Sequence, residues 1–265
     1  MEFRTTIDIK ASSKKIMPCE RMLFVGSCFA DNMGKRFVEE KFRATVNPYG
    51  VMYNPVSVLH SIEKHLASTD KPTITVITLG TNHVYREKAT GVIVDNCQKR
   101  PQNLFEEEIL SVEECYETLK KAVDLLQGNV IITVSPIRYR KYGYHESQLS
   151  KATLLLAADR LAKEKPETVE YFPAYEIVND ELRDYRFYQP DMLHPSMQAV
   201  EYIYERFAET YFSAETNKFL SEWRPVKEAL GHRPLNPDSE EYQLFLKKTN
   251  AQLEALRERY PEMPL

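Results

Sequence analysis

A serine and a cysteine stand side by side at a turn between a predicted strand and a predicted helix. The stretch MLFVGSCFADNMGKRF, residues 22–37, begins with apolar residues typical of a buried strand and continues with apolar residues at helical spacing. Such a turn exposes the Ser27 hydroxyl and aims free helix N–H groups at it, and those groups can hold an oxyanion. A residue that only caps the helix gives the same pattern.

Cys28 is the next residue, and it has two possible roles. A thiol beside a helix N-terminus can react as a thiolate. We expect instead that Cys28 begins the helix and points toward the sheet as a small buried residue.

Asp191 and His194, in the stretch QPDMLHPS, form a second pair that could take part in catalysis. A carboxylate three residues before an imidazole can accept a hydrogen bond from one ring nitrogen, which leaves the other nitrogen free to take a proton. The pair lies in a loop before a predicted helix, where catalytic residues often occur. An aspartate that caps the helix and a surface histidine are the alternative.

Polar residues also follow the second predicted strand, in TLGTNHVY at 78–85. Gly80 permits a turn at the strand end, and Asn82 can donate a side-chain N–H to an oxyanion. The alternative for Asn82 is a turn residue in the left-handed conformation. We interpret His83 as a polar residue rather than a second base.

The loop after the third predicted strand, residues 135–152, combines basic and aromatic side chains. Arg138, Tyr139 and His145 are its candidates for substrate contact, because rings and cations together can bind a sugar face or an acidic group. A solvated loop without a binding role is the alternative.

Four apolar runs rich in β-branched residues predict buried strands, and helical patterns separate them. The predicted strands are 21–27, 73–80, 129–136 and 169–178, and the predicted helices are 30–42, 55–66, 111–128, 146–164 and 194–212. Continuous apolar strands that alternate with helices predict a three-layer α/β/α fold with a mostly parallel sheet. Ligands of such sheets bind at the carboxyl ends of the strands, where Ser27, Asn82 and Ser135 all fall.

The pattern changes after residue 212. Residues 213–230 and 239–260 are helical and charged, and the loop GHRPLNPDS joins them. We predict one α/β domain over residues 1–212 and a C-terminal helical extension over 213–265 that packs on it.

The composition is that of a folded protein with a sizeable core, with 265 residues, 43% hydrophobic and 28% charged. A net charge of −4 shows no basic excess that would favour nucleic acid or a membrane surface as a partner. The four cysteines form no CxxC pair and no cluster with zinc spacing, so we expect no metal and a reducing compartment. The N-terminus MEFRTTIDIK lacks the apolar run of a signal peptide, and we expect a cytoplasmic protein.

The sequence resembles the GSCFA-domain family, whose naming motif stands at residues 26–30. Further matching blocks extend over almost the whole chain: NPYGVMYNP (47–55), TLGT (78–81), NCQK (96–99), VSPIRY (134–139), SKATLLLA (150–157), YFPAYEI (171–177), DELRDYRFY (180–188), DMLHPS (191–196) and HRPLNP (232–237). The family is similar to the broad group of SGNH or GDSL hydrolases. The resemblance therefore implies an SGNH-like, flavodoxin-like fold.

The resemblance also implies roles for residues that match the motifs of the group. Ser27 matches the serine after the first strand and is expected as the nucleophile. His194 and Asp191 match the D-x-x-H pair, as base and orienter. The implied oxyanion donors are the N–H of Ser27, a glycine N–H for which Gly50 is our candidate, and an asparagine of a G-x-N-D block.

Two positions depart from the pattern. Asn82 matches the asparagine of that block, but His83 stands where the block has an aspartate. Many relatives read N-C-H-K where this chain has Gln98 in NCQK, and Asn96 of that stretch is the alternative oxyanion donor.

These features, together with the resemblance, predict a serine-dependent acyl-ester hydrolase or O-acyltransferase that requires no cofactor. An O-acylated carbohydrate or a similar small ester is the substrate that the resemblance alone implies. The departures at His83 and Gln98 give weight to an alternative, a non-catalytic carbohydrate-binding or assembly protein that keeps the fold. A thiol enzyme that uses Cys28 is a third possibility.

Overall fold

A parallel sheet lies between two layers of helices in the computed structural model, which describes residues 4–69 and 71–265. The strands are β1 (Arg21–Gly26), β2 (Arg43–Val46), β3 (Ile74–Leu79), β4 (His83–Glu87), β5 (Ile93–Val94), β6 (Phe105–Ile109), β7 (Asn129–Val134) and β8 (Val169–Tyr171). The helices are α1 (Cys28–Glu39), α2 (Pro55–Ser68), α3 (Val112–Leu125), α4 (Tyr144–Glu164), α5 (Ala174–Glu176), which continues as a π-helix over Ile177–Leu182, α6 (Met197–Tyr211), α7 (Ala214–Gly231) and α8 (Glu240–Arg259). Single 3₁₀ turns lie at Gln102–Leu104, Arg140–Tyr142 and Tyr185–Phe187.

The main sheet has five strands in the order β2-β1-β3-β7-β8, and every neighbouring pair is parallel. Counted along the sheet's own strands this is the order 2-1-3-4-5 of flavodoxin-like doubly wound folds, so the predicted fold class is confirmed. The connections change direction between β1 and β3. In such folds the ligand binds beside this point, at the carboxyl ends of the strands.

Both faces of the sheet are covered by helices, which explains the continuous apolar strands. Met22 and Phe24 of β1 pack in one buried cluster with α1 and α6. Leu23 and Val25 point to the opposite face and pack with α2, α3 and α4. A capping box is present at the start of α3, where Ser111 and Glu114 cap each other's backbone N–H groups.

The predicted strand over 169–178 is wrong in its second half. Strand β8 ends at Tyr171, and α5 with its π-helical continuation occupies 174–182. Pro173 lies at the break, where it lacks the N–H that a continued ladder would need. The small antiparallel sheet β5-β4-β6 and the edge strand β2 were not predicted.

The C-terminal helices α7 and α8 pack at the amino edge of the sheet. Their apolar side chains form a separate cluster with Cys19, which lies just before β1. The indole N–H of Trp223 donates to the backbone oxygen of Glu39, at the last turn of α1, at 3.1 Å. The extension therefore covers the edge opposite to the carboxyl ends of the strands.

No helix in the described ranges combines the length and the hydropathy needed to cross a membrane. Within the same ranges, no three side chains of the His, Cys, Asp and Glu types converge as a metal site would require.

Candidate active site

The turn between β1 and α1 encloses Ser27 completely. Gly26 adopts φ +136°, and a Cβ at this position would lie 2.1 Å from the backbone oxygen of Thr78 on β3. The Ser27 hydroxyl lies 3.0 Å from the Thr78 hydroxyl and accepts the N–H of Phe29 at 3.2 Å, so it caps α1. With none of its surface exposed, Ser27 differs from the expected open hydroxyl, because the turn brings it against β3.

The N–H of Ser27 is also engaged, since it donates to the backbone and side-chain oxygens of Thr78, each at 3.0 Å. Neither polar group of Ser27 is therefore turned toward a substrate in this arrangement.

Cys28 occupies the outward position of the same turn. It is the first residue of α1 and is half-buried, in contrast to the expected fully buried packing residue. Its Sγ lies 3.6 Å from the hydroxyl of Tyr53. In the described part of the chain its backbone N–H has no hydrogen-bond partner, as expected for the first residue of a helix.

Two tyrosines lie beside this thiol. The rings of Tyr53 and Tyr139 are perpendicular, with centroids 6.0 Å apart. The Tyr139 hydroxyl is buried without a partner among the described residues, and a Cβ on Gly80 would lie only 2.4 Å from it. Burial raises the pKa of both hydroxyls, most of all that of Tyr139, so both stay protonated at neutral pH.

Asp191 and His194 make the contact that their spacing predicts. The imidazole Nδ1 lies 2.6 Å from Asp191 Oδ2, and Asp191 Oδ1 accepts the backbone N–H groups of Leu193 and His194. These backbone hydrogen bonds, together with the imidazole, lower the pKa of Asp191 to about 2, so the carboxylate is ionised. No described residue bonds to Nε2 of His194, which leaves that nitrogen free to take a proton.

Arg138 fixes this loop to the end of β7. Its backbone N–H donates to the oxygen of Leu193 at 3.0 Å, and its guanidinium donates to the oxygen of Met192 at 3.1 Å. The guanidinium carbon also lies 4.3 Å from the ring centre of Tyr144. Arg138 therefore positions the histidine loop, and it also lines an adjoining cavity of about 260 Å³ with Tyr185 and Tyr188.

Helices α1 and α6 bring the thiol and the imidazole to the same edge. Both helices begin at the carboxyl edge, since α1 follows β1 directly and the far end of α6 bonds to Ile16 at the amino edge. Arg36 of α1 pairs with Glu201 of α6 at 2.9 Å. Cys28 lies eight residues before Arg36, and His194 lies seven residues before Glu201.

Comparison of the sequence with family profiles identifies the family of this chain. The GSCFA family profile matches residues 21–73 and 63–207, and the profile described as GSCFA domain protein, C-terminal domain, matches residues 223–265. The chain belongs to the GSCFA family. Curated proteins give no match.

Three solved structures resemble this GSCFA protein at 10–15% sequence identity. A member of the lipolytic protein G-D-S-L family from Veillonella parvula is 15% identical, with a TM-score of 0.49 over 72% of this chain and 97% of that chain. A catalytic mutant of an acetylxylan esterase from Geobacillus stearothermophilus is 15% identical, with a TM-score of 0.49 over 75% and 97%. A carbohydrate esterase family 3 structure from Talaromyces cellulolyticus is 10% identical, with a TM-score of 0.42 over 76% and 99%.

In the GSCFA protein, Gly50 and Asn82, which were predicted as oxyanion donors, make hydrogen bonds to the backbone. The N–H of Gly50 donates to the oxygen of Asn47 at 2.9 Å, within an exposed turn. The side-chain N–H of Asn82 donates to the oxygen of Leu110 at 2.7 Å. Both predicted oxyanion donors are thus engaged in structural hydrogen bonds.

Asn96 and His145 lie on the surface of the GSCFA protein. The side-chain oxygen of Asn96 accepts the N–H of Gln98 at 2.9 Å, which closes a turn of the NCQK stretch. His145 lies in the first turn of α4. Among the residues that the structure describes, no hydrogen bond or ion pair joins either of them to the β1–α1 turn.

Lys151 lies beside the candidate site, and the sequence did not single it out. Its ammonium is fully buried and donates to the backbone oxygens of Gly80 and Ser135, each at 2.7 Å. It thereby ties the ends of β3 and β7 together, 5.0 Å from the ring centre of Tyr139. Burial lowers the pKa of Lys151 to about 7. The signal in the sequence was its place in the apolar stripe of α4, three residues before Leu154.

Proposed function

We propose that this GSCFA protein transfers acyl groups from an ester, as a hydrolase or an O-acyltransferase, with a nucleophile from the β1–α1 turn. The observation that carries the proposal is the Asp191–His194 pair, held at 2.6 Å at the same sheet edge as that turn. A histidine whose tautomer is fixed by a carboxylate is the base that an acyl-transfer nucleophile needs.

Cys28 is the nucleophile that the geometry favours over the predicted Ser27. The Ser27 hydroxyl is enclosed and caps α1, whereas the Cys28 sulfur is partly open at the carboxyl edge. A thiol is also the more readily activated group, because a few per cent is already thiolate at neutral pH. This is the third of the possibilities that the sequence left open.

The proposed reaction uses these groups as follows. His194 Nε2 takes the proton from Cys28, and the sulfur bonds to the ester carbonyl carbon to give a tetrahedral oxyanion. The backbone N–H of Cys28, which has no partner among the described residues, donates to that oxyanion. The C–O bond of the ester then breaks, the leaving alkoxide takes the proton from His194, and a thioester remains.

The second half of the reaction regenerates the free enzyme. Water or an acceptor hydroxyl gives its proton to His194 and attacks the thioester carbon, and the sulfur leaves and recovers its proton. Asp191, ionised throughout, stabilises the imidazolium in both halves.

An O-acylated carbohydrate is the substrate class that we propose. The cavity of about 260 Å³ next to the histidine loop is lined by Tyr185, Tyr188, Gln148, Asn179 and Arg138. Aromatic faces next to polar groups that donate and accept hydrogen bonds suit the two faces and the hydroxyls of a sugar.

The test compares wild type with Cys28→Ala, Ser27→Ala and His194→Ala in the hydrolysis of p-nitrophenyl acetate and butyrate. We expect Cys28→Ala and His194→Ala to lose about 10³-fold in kcat/KM or more. Ser27→Ala should keep most activity and lose about 1 kcal/mol of stability, as for a lost helix cap. Iodoacetamide should label Cys28 in a peptide-resolved mass spectrum.

The opposite pattern supports the other possibilities. Fluorophosphonate labelling of Ser27, with activity that survives Cys28→Ala, would make Ser27 the nucleophile. Full activity of His194→Ala would contradict the proposal itself. Protein without turnover or labelling would favour the carbohydrate-binding alternative, which titration with acetylated xylo-oligosaccharides would then detect.

A further inference from the structure

The only side-chain hydrogen bond of the Cys28 thiol, within the described residues, is with the hydroxyl of Tyr53, a residue outside every predicted role. The Tyr53 hydroxyl lies 3.6 Å from Sγ, and the tyrosine is 37% exposed. We propose that Tyr53 is a catalytic residue that donates its O–H first to the Cys28 thiolate and then to the oxyanion formed on the attacked carbonyl. This inference rests on the proposed function.

Backbone hydrogen bonds from two strand ends fix the position of Tyr53. Its own backbone oxygen accepts the N–H groups of Gly80 and Thr81, each at 2.8 Å, just after β3. The preceding residue, Met52, donates its N–H to the oxygen of Gly26 at 2.8 Å, beside the nucleophile turn. A donor held in this way loses little freedom when charge develops, which is the condition for effective transition-state stabilisation.

Side-chain packing holds the ring as well. The ring of Tyr139 stands edge-on to Tyr53 at 6.0 Å, and Lys151 lies beneath the Tyr139 ring. The next residue, Asn54, caps α2 through the N–H of Ser57 at 2.9 Å. The loop that carries Tyr53 is therefore anchored on both sides of this residue.

Tyr53 acts as a donor and not as a base. Its pKa is raised by burial first and then by the hydrogen bond with Cys28, with a smaller contribution from Asp31 of α1. The phenol therefore stays protonated through the reaction, and no proton leaves it. When the sulfur bonds to the carbonyl carbon, the negative charge moves from the sulfur to the carbonyl oxygen, two bonds away. The same Tyr53 O–H can then donate its hydrogen bond to that oxygen.

The test is Tyr53→Phe, which keeps the ring and removes the hydroxyl. Tyr49→Phe is the matched control, because Tyr49 belongs to the same loop but its hydroxyl bonds to Ser68, at the far end of α2, at 3.3 Å. The first measurement is the rate of Cys28 alkylation by iodoacetamide from pH 6 to pH 10. Peptide-resolved mass spectrometry separates Cys28 from Cys19 and Cys115, whose pKa values burial raises to about 11 and about 12.

We expect Tyr53→Phe to move the alkylation profile to higher pH and to slow alkylation at pH 7 about tenfold, because the thiolate loses its donor. The kcat for p-nitrophenyl acetate should fall about 10²-fold at nearly unchanged KM. Tyr49→Phe should leave both measurements at wild-type values. The ionisable groups next to the phenol besides Cys28, namely Asp31 and Tyr139, are the same in both variants and so do not produce the difference.

Wild-type profiles for Tyr53→Phe, in a protein with wild-type circular dichroism, would overturn the inference. Its failure is separable from failure of the proposed function, because the alkylation profile needs no ester turnover. Turnover that depends on Ser27 instead of Cys28 refutes the nucleophile assignment, while an alkylation profile insensitive to Tyr53→Phe refutes the role of Tyr53.

Discussion

At the scale of single residues, Lys151 is a buried ammonium beside the candidate active site. Its ammonium is fully buried among backbone oxygens and aromatic rings, without a carboxylate partner among the described residues. Burial lowers its pKa from 10.5 to about 7, which means that the folded protein releases this proton more easily than the unfolded chain does. Between these two pH values the unfolded chain binds more protons, so the free energy of unfolding rises with pH there.

The prediction concerns the comparison of wild type with Lys151→Met. From pH 7 to pH 10 the wild-type free energy of unfolding should increase relative to the variant, by up to about 4 kcal/mol. Below pH 7 the difference should be constant, because Lys151 is protonated in both states. Urea unfolding followed by circular dichroism at pH 6, 7, 8, 9 and 10 measures it.

Lys163→Met provides the control on the same helix. Lys163 is exposed and pairs with Asp159 at 2.8 Å, and its removal should leave the pH dependence as in wild type. Parallel pH curves for wild type and Lys151→Met would show that Lys151 remains charged in the folded protein throughout this range.

Residue-level prediction from sequence succeeded where the partners are close in the chain. The contact between Asp191 and His194 spans three residues, and local spacing was enough to predict it. The contact between Cys28 and Tyr53 spans 25 residues and depends on how the loop after β2 returns over β1. Gly50 and Asn82 were assigned as oxyanion donors by motif alone, and their actual partners, Asn47 and Leu110, follow from tertiary packing.

At the scale of elements, Gly26 determines how β1 passes into α1. Its φ of +136° is a conformation that side chains other than glycine rarely adopt, and a Cβ there would meet the oxygen of Thr78 at 2.1 Å. We predict that Gly26→Ala lowers the free energy of unfolding by about 3 kcal/mol or more, through strain and overpacking together. Chemical denaturation monitored by circular dichroism measures this change.

A second glycine supplies the control for this prediction. Gly231 is the last residue of α7 and has open space where an added methyl group would lie, so Gly231→Ala should change the stability by less than about 1 kcal/mol. Equal stabilities of the two variants would mean that the β1–α1 turn can relax without cost. A folded Gly26→Ala protein should also alkylate Cys28 abnormally, because the turn sets the position of the thiol.

The elements that were predicted well are those with a strong hydrophobic signal. The cores of β1, β3 and β7 and all the long helices were placed to within a few residues, because burial on both faces of the sheet gives continuous apolar runs. The small sheet β5-β4-β6 contains strands such as Phe105–Ile109, with three glutamates, and its pattern is weak because one face is exposed. The half-wrong strand at 169–178 has the composition of a buried strand, but Pro173 breaks it and helix follows.

At the scale of the whole molecule, the candidate active site and the C-terminal packing lie at opposite edges of the sheet. Cys28 and the histidine loop lie at the carboxyl edge, whereas α7 and α8 cover the amino edge around Cys19. This placement supports an extension that covers the core at the amino edge and does not close a pocket at the carboxyl edge. Substitutions in the packing of α7 and α8 should therefore lower the stability without changing the candidate active site.

Trp223 offers the sharpest test of this separation. It is 3% exposed within the cluster of α7 and α8, and its indole N–H bonds to Glu39 at the end of α1. We predict that Trp223→Ala lowers the free energy of unfolding by about 3–5 kcal/mol, as for a large buried aromatic side chain. At a temperature well below the unfolding transition, the alkylation rate of Cys28 should stay at the wild-type value, because Cys28 lies at the opposite end of α1 from Trp223. Leu235→Ala, at a fully exposed position of the loop before α8, should change neither quantity. A folded Trp223→Ala protein that alkylates Cys28 several-fold more slowly would instead mean that the packing of α1 on the extension sets the geometry of the thiol at its other end.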